Sequence, residues 1–158
     1  MKRILTLTFA VVLTCAWGGA AAHAQPTSLQ QEVNQVLAKY PGGVQTGPAE
    51  VTWNDGDVIL TLRSEQSSTY GTDASTSVGS CATGYFCGFS SMNLTGSKIS
   101  FSSCTAPNLV APLGSPVRSI ANARSSGNVL AFNGGSPVLS VSANSFVNNN
   151  LTITRLGC

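Results

Sequence analysis

Four cysteines set behind an export-type leader constrain this chain more than any other feature. Lys2 and Arg3 form a basic start, Ile4 to Trp17 is an apolar run, and Ala22-His23-Ala24 places small residues around a cleavage position. The run is too short to span a bilayer comfortably, so residues 1–24 read as a signal peptide cut before Gln25. Cys15 raises a lipoprotein alternative. Thr14 is bulky for the position before a lipidated cysteine, so the membrane enters only if Cys15 is acylated after all. Beyond the leader stand Cys81, Cys87, Cys104 and Cys158. An even count in an oxidising compartment implies two disulfides, with three connectivities open. The expected pairing is Cys81–Cys87, closing a short local loop, with Cys104–Cys158 tying the C-terminus across the domain and restricting the unfolded chain more. A zinc site is the weaker use of these thiols. The single histidine, His23, leaves with the leader, and the C-x5-C spacing is not that of a zinc ribbon.

Charge narrows the partners. Without Lys2 and Arg3 the basic and acidic side chains balance, which argues against nucleic acid or an anionic membrane as the main partner. The charges are also segregated. Glu32, Glu50, Asp55, Asp57, Glu65 and Asp73 all precede residue 81, whereas residues 81–158 carry Lys98, Arg118, Arg124 and Arg155 and no carboxylate side chain. Two segments of opposite sign can attract one another or a charged partner.

The exported chain reads in three parts. In residues 25–63, Ser28-Leu29-Gln30-Gln31 has a capping-box pattern, and Leu29, Val33, Val36, Leu37 and Tyr40 recur at helical spacing. Pro41-Gly42-Gly43 stops that helix. Glu50–Trp53 and Val58–Leu62 then flank Asn54-Asp55-Gly56-Asp57, a hairpin signal. A helix of three turns and a lone hairpin are both marginal in water, so they are expected to pack on each other, on the downstream domain, or both. Residues 64–80 are Ser/Thr/Gly-rich and read as a linker. In residues 81–158, short β-rich runs broken by Gly, Pro, Asn and Ser suggest strands at Gly84–Phe89, Lys98–Phe101, Val117–Ile120, Asn128–Phe132, Val138–Val141 and Leu151–Leu156. That density of short strands and turns suggests a sandwich or barrel. A faint repeat of Asn before Ser or Thr, at 121–126 and 148–153, suits two Greek-key motifs.

Conventional catalysis has little to work with. No histidine survives the cleavage, so Ser-His-Asp and Cys-His arrangements cannot be assembled. Paired carboxylates are absent after residue 80, and Asp55 and Asp57 sit where a turn asks for Asp. The expectation is a chain that is not an enzyme; a hydrolase is the least supported class.

The residues Cys81-Ala82-Thr83-Gly84-Tyr85-Phe86-Cys87-Gly88-Phe89, then Asn93-Leu94-Thr95-Gly96, Ile99-Ser100-Phe101 and Cys104, resemble the opening of secreted bacterial peptidase inhibitors of inhibitor family thirty-six. That is the metalloproteinase-inhibitor group with a βγ-crystallin-like fold. Asn122-x-x-Ser125-Ser126 is similar to the second signature of the fold, and the helix, its Pro-Gly-Gly stop and the hairpin around Trp53 resemble a module placed before such domains. Ala82, Leu94 and Ala121 depart from the usual Pro, aromatic and Asn/Asp. The resemblance implies a mostly β, βγ-crystallin-like Greek-key sandwich over residues 81–158, preceded by a short helix and a β-hairpin. It implies an extracellular, monomeric inhibitor of metalloproteinases that acts by loop occlusion and needs no cofactor. The loop Cys104–Pro116 is the candidate for occlusion, restricted by prolines, with Leu109, Val110 and Leu113 as its apolar contacts. The fold also brings calcium into view, with Asn122, Ser125, Asn149 and Thr152 as ligands; all are neutral, whereas calcium sites usually include carboxylates. The alternative function is a structural or interaction module of the same fold without inhibitory activity, contacting some other secreted protein.

Overall fold

The computed structural model describes residues 28–63, 77–104 and 108–158. The leader with Cys15, residues 64–76 of the expected linker and residues 105–107 of the candidate loop lie outside the described residues. Within them are one α-helix, two 3-10 turns and eleven strands in two antiparallel sheets.

Helix α1 (Ser28–Lys39) forms where the apolar stripe predicts it. Val33 and Val36 are buried, and Leu29, Leu37 and Tyr40 pack at the margin of the same core. Gln30 and Gln45 exchange side-chain amide hydrogen bonds of 3.1 Å, fixing the helix to the next strand. The stop is steric as well as conformational. A Cβ on Gly43 would sit 2.8 Å from the Trp53 indole, so only glycine lets the chain pass this ring. The indole N–H in turn donates to the Tyr40 carbonyl at 3.3 Å, taking up a carbonyl just beyond the helix end.

Strands β1 (Val44–Gly47), β2 (Glu50–Trp53) and β3 (Val58–Thr61) follow as a meander. The Asn54–Gly56 turn between β2 and β3 holds Asn54, Asp55 and Gly56 at positive φ. Asn, Asp and Gly tolerate that region best, which is why the hairpin signal was readable. Asp57 then ties the hairpin to the next segment: its carbonyl accepts from the Ser102 N–H at 3.0 Å, and its carboxylate accepts from the Ser102 hydroxyl.

Strands β4 (Phe86–Phe89) and β5 (Lys98–Phe101) come next. They are followed by β6 (Asn108–Leu109), β7 (Ser119–Asn122), β8 (Val129–Asn133), β9 (Ser136–Val141), β10 (Ser145–Asn148) and β11 (Arg155–Gly157). One sheet runs β1-β2-β3-β5-β4-β7-β10 and the other β6-β11-β8-β9. The β3–β5 ladder therefore continues one sheet from the N-terminal hairpin into the downstream segment. Pairing there also covers what would otherwise be the open edge of β5. Strands β4–β7 and β8–β11 repeat one arrangement. The first strand of each set lies between the second and the fourth, and the third crosses to the other sheet, where β6 joins β11 and β10 joins β7.

Several strand limits differ from expectation. The run Leu151–Leu156 pairs only over Arg155–Gly157, and the strand expected at Val117–Ile120 lies at Ser119–Asn122. Strands β1, β6 and β10 were not expected; each is short and flanked by Gly, Pro or Asn. The Asn repeat is also placed differently. Residues 121–126 lead from β7 to β8, but residues 148–153 lead from β10 to β11, so they are not equivalent positions of the two strand sets.

The long sheet has two unlike faces. On one, Phe86, Phe101, Ile99, Leu60, Val51 and Ile120 form the main core, closed by α1 and by the second sheet through Val129, Ala131, Val141 and Leu156. The Phe86 and Phe101 rings meet at 5.5 Å, and burying each contributes about 1.5–3 kcal/mol. On the other face, Cys81, Cys87, Phe89, Leu94, Ala121 and Ala123 form a smaller cluster, with Tyr85 and Val78 against it. Strand alternation sends Phe86 to one face and Phe89 with Tyr85 to the other. Both expected disulfides are present, Cys81–Cys87 inside the smaller cluster and Cys104–Cys158 at the surface.

Candidate binding site

The loop proposed from sequence divides between core and surface. Leu109 is 51% exposed, whereas Val110 is 5% and Leu113 4% exposed. Val110 and Leu113 are three residues apart across the 3-10 turn Ala111–Leu113, where that spacing puts side chains on one side. Both point into the main core. They cannot serve as contact residues, because presenting either to a partner would forfeit its burial. Leu109 is out of phase with them and stays outside. Asn108 and Leu109 also pair with Leu156 and Arg155 of β11.

Leu109 borders an open groove of about 260 Å³ lined by Tyr40, Pro41, Trp53, Asn54, Val58, Phe101 and Pro112. Its walls come from segments far apart in sequence: the end of α1, the tip of the β2–β3 hairpin, and the β6–turn segment. The Tyr40 hydroxyl bridges them, donating to the Ala111 carbonyl at 2.8 Å. Lys39 lies over the Tyr40 ring, its Nζ 5.5 Å from the centroid, a cation–π contact at the rim. The result is a mostly apolar, aromatic depression with one protruding leucine. Sequence reasoning used Trp53 and Tyr40 only as hairpin and helix markers. Gly43, needed to clear Trp53, was the signal that the indole lies against the helix end.

On the other side of Leu109, Arg155 of β11 is its direct partner in the ladder, and Phe132 of β8 is partner to Arg155 in turn. The guanidinium carbon lies 3.6 Å from the Phe132 ring centroid. Gly157 borders that ring, and a Cβ there would meet it at 3.4 Å, an ordinary van der Waals contact.

The four candidate calcium ligands do not converge. Asn122 pairs with Ser145 at one end of the β7–β10 ladder, while the Asn149 N–H bonds the Arg118 carbonyl at the other. Four residues of strand separate them, about 13 Å. The Asn122 side chain is already committed. Its amide donates to the Gly127 and Val141 carbonyls at 3.0 Å each, and its oxygen accepts from the Arg124 N–H at 3.2 Å. The Asn149 oxygen likewise accepts from the Leu151 N–H at 3.0 Å. Ser125 and Thr152 are exposed. These residues build turns. Among the described residues no group of three His, Cys, Asp or Glu side chains comes together.

Among the described residues, Lys98 is the one titratable group clearly displaced. It sits on the face of the smaller cluster, donates to the Ser80 carbonyl at 2.6 Å, and has its pKa lowered, chiefly by burial. Glu50 pulls in the opposite direction and Arg63 reinforces the lowering.

Compared with known proteins, the chain matches no protein-family model, no curated protein and no solved structure. Among the described residues no helix is long and apolar enough to cross a membrane.

Proposed function

We propose that this chain is exported and acts as a binding protein through the surface centred on Leu109, inhibiting an extracellular metallopeptidase by occluding its active site. The observation that carries the reading is one half-exposed leucine on a segment held from several directions. Cys104–Cys158 anchors it covalently, β11 pairs with it, the 3-10 turn follows it, and Tyr40 ties that turn to the helix. Such preorganisation lowers the entropy lost on binding. Leu109 would enter the apolar subsite that takes the residue after the scissile bond, and the aromatic groove would accept neighbouring parts of the enzyme. The exchange of third strands between the two four-strand sets supports a βγ-crystallin type of arrangement, which agrees with the resemblance carried by residues 81–104.

The alternative is an interaction module that docks a partner without blocking catalysis. The burial of Val110 and Leu113 favours it, because it leaves the loop a single anchor rather than three. Titrating the oxidised protein, residues 25–158, against a thermolysin-like enzyme separates the two readings. Stoichiometric loss of activity, relieved by Leu109→Asp, is the expected result. Full activity at micromolar excess would leave only the docking function.

A further inference from the structure

We infer that Arg155 is a carboxylate-binding element, and that the partner of the Leu109 surface carries an acidic side chain beside an apolar one. The inference rests on Leu109 marking the contact surface and names the chemistry of what binds there.

Two observations carry it. First, the Arg155 guanidinium is stacked on Phe132 at 3.6 Å, so one face is occupied by the ring and its N–H edge is left for a ligand. It makes no hydrogen bond or ion pair with any described residue. Second, no described carboxylate pairs with it, and residues 81–158 contribute no Asp or Glu side chain of their own. A stacked guanidinium has less rotational freedom to lose, and its planar fork matches a carboxylate bidentately. Leu109 lies directly across the β6–β11 ladder from Arg155, at the usual spacing of about 5 Å between strands. An extended peptide with an apolar and an acidic residue two positions apart presents both to one face. One would meet the groove of Tyr40, Trp53 and Pro112, and the other the guanidinium. Charge complementarity thus selects an acidic partner over a purely apolar one.

The test uses the oxidised protein with Arg side-chain Nε and backbone amides followed by NMR. The probes are acetyl-Leu-Ala-Glu-amide and its neutral isostere acetyl-Leu-Ala-Gln-amide. The expected result is a millimolar interaction that shifts the Arg155 Nε–H and the Leu109 amide, about tenfold tighter for the Glu probe. Arg155→Gln brings the two probes level. Arg155→Lys, which keeps charge without the fork, retains part of the difference, and dispersed amide spectra confirm that each variant is folded. Equal affinity for the two probes, or no shift at Arg155 with either, overturns the inference. The two readings fail separately. Peptidase inhibition unaltered by Arg155→Gln refutes the carboxylate site alone, whereas discrimination between the probes by a chain that inhibits nothing refutes peptidase inhibition alone.

Discussion

The two disulfides are set in regions built on opposite plans. Around Cys81–Cys87 the apolar cluster itself is enclosed: both cysteines, Phe89, Leu94, Ala121 and Ala123 are buried, and Asn93 and Asn148 seal an edge with paired 2.8 Å hydrogen bonds, while Phe146, opposite Ala121 at the margin of the same face, stays half-exposed. Around Cys104–Cys158 the sulfur bridge itself is at the surface, and Leu109 and Arg155 on the segments beside it, with Tyr40, Trp53 and Phe132 around them, are left partly open. One bridge fills a core, while the other braces a surface. The difference teaches that a cross-link's role is read from what surrounds it. A short loop in an apolar cluster adds packing, whereas a long loop at a sheet edge adds rigidity where a partner would press.

The comparison can be broken most forcefully at the bridges. Loop-closure entropy assigns about 4 kcal/mol to a bridge spanning the 54 residues between Cys104 and Cys158, and about 2 kcal/mol to one spanning the 6 between Cys81 and Cys87. Cys104→Ala with Cys158→Ala should therefore lower unfolding free energy by about 4 kcal/mol in denaturant titration. Accessibility runs the same way, and mild reductant should open Cys104–Cys158 first, read by mass after alkylation. Early opening of the buried pair would contradict the assignment of the two regions.

Next in size is the contrast within the loop. Leu113→Ala should cost about 2–5 kcal/mol, as for a buried leucine, while Leu109→Ala should change stability by less than about 0.5 kcal/mol. Similar costs at the two positions would place Leu109 in the core. Tyr40→Phe removes one hydrogen bond to the Ala111 carbonyl and should cost about 1 kcal/mol, with faster amide exchange in the turn as the local signature.

The smallest effect lies on the enclosed side. Lys98 has a folded pKa below its ordinary value because burial disfavours the charged form. Between the folded and the unfolded pKa the unfolded chain binds more protons, so stability rises with pH across that alkaline window. The cost of burying the charge is present in full below the folded pKa. Lys98→Met should flatten this alkaline rise in pH-dependent melting. A rise of unchanged slope would assign it to another group.

Much of the architecture was legible because local signals and global fold agree. The Val33–Val36 stripe, the Asn54-Asp55-Gly56 turn and the β-rich run Gly84–Phe89 each needed only their own neighbourhood. The even cysteine count indicated two bridges and left three connectivities open, of which the expected one is present. Strands β1, β6 and β10 were not legible, since their pairing depends on partners far along the chain rather than on their own weak β character. The site was half legible. Leu109, Val110 and Leu113 look alike in a proline-bearing stretch, and the three-residue spacing of Val110 and Leu113 becomes informative only once a 3-10 turn is known there. Arg155 on Phe132, and Trp53 beside Tyr40, arise from tertiary pairing that no local pattern encodes.

The claim that the Cys104–Cys158 side is the working surface is tested most directly by placing one charge in each region. Met92, 44% exposed, belongs to the enclosed side, and Leu109, 51% exposed, to the open one. Against a metallopeptidase that the parent chain inhibits, Leu109→Asp is predicted to abolish complex formation with stability intact, and Met92→Asp to leave it unchanged. Loss of binding through Met92→Asp with Leu109→Asp silent would contradict the account.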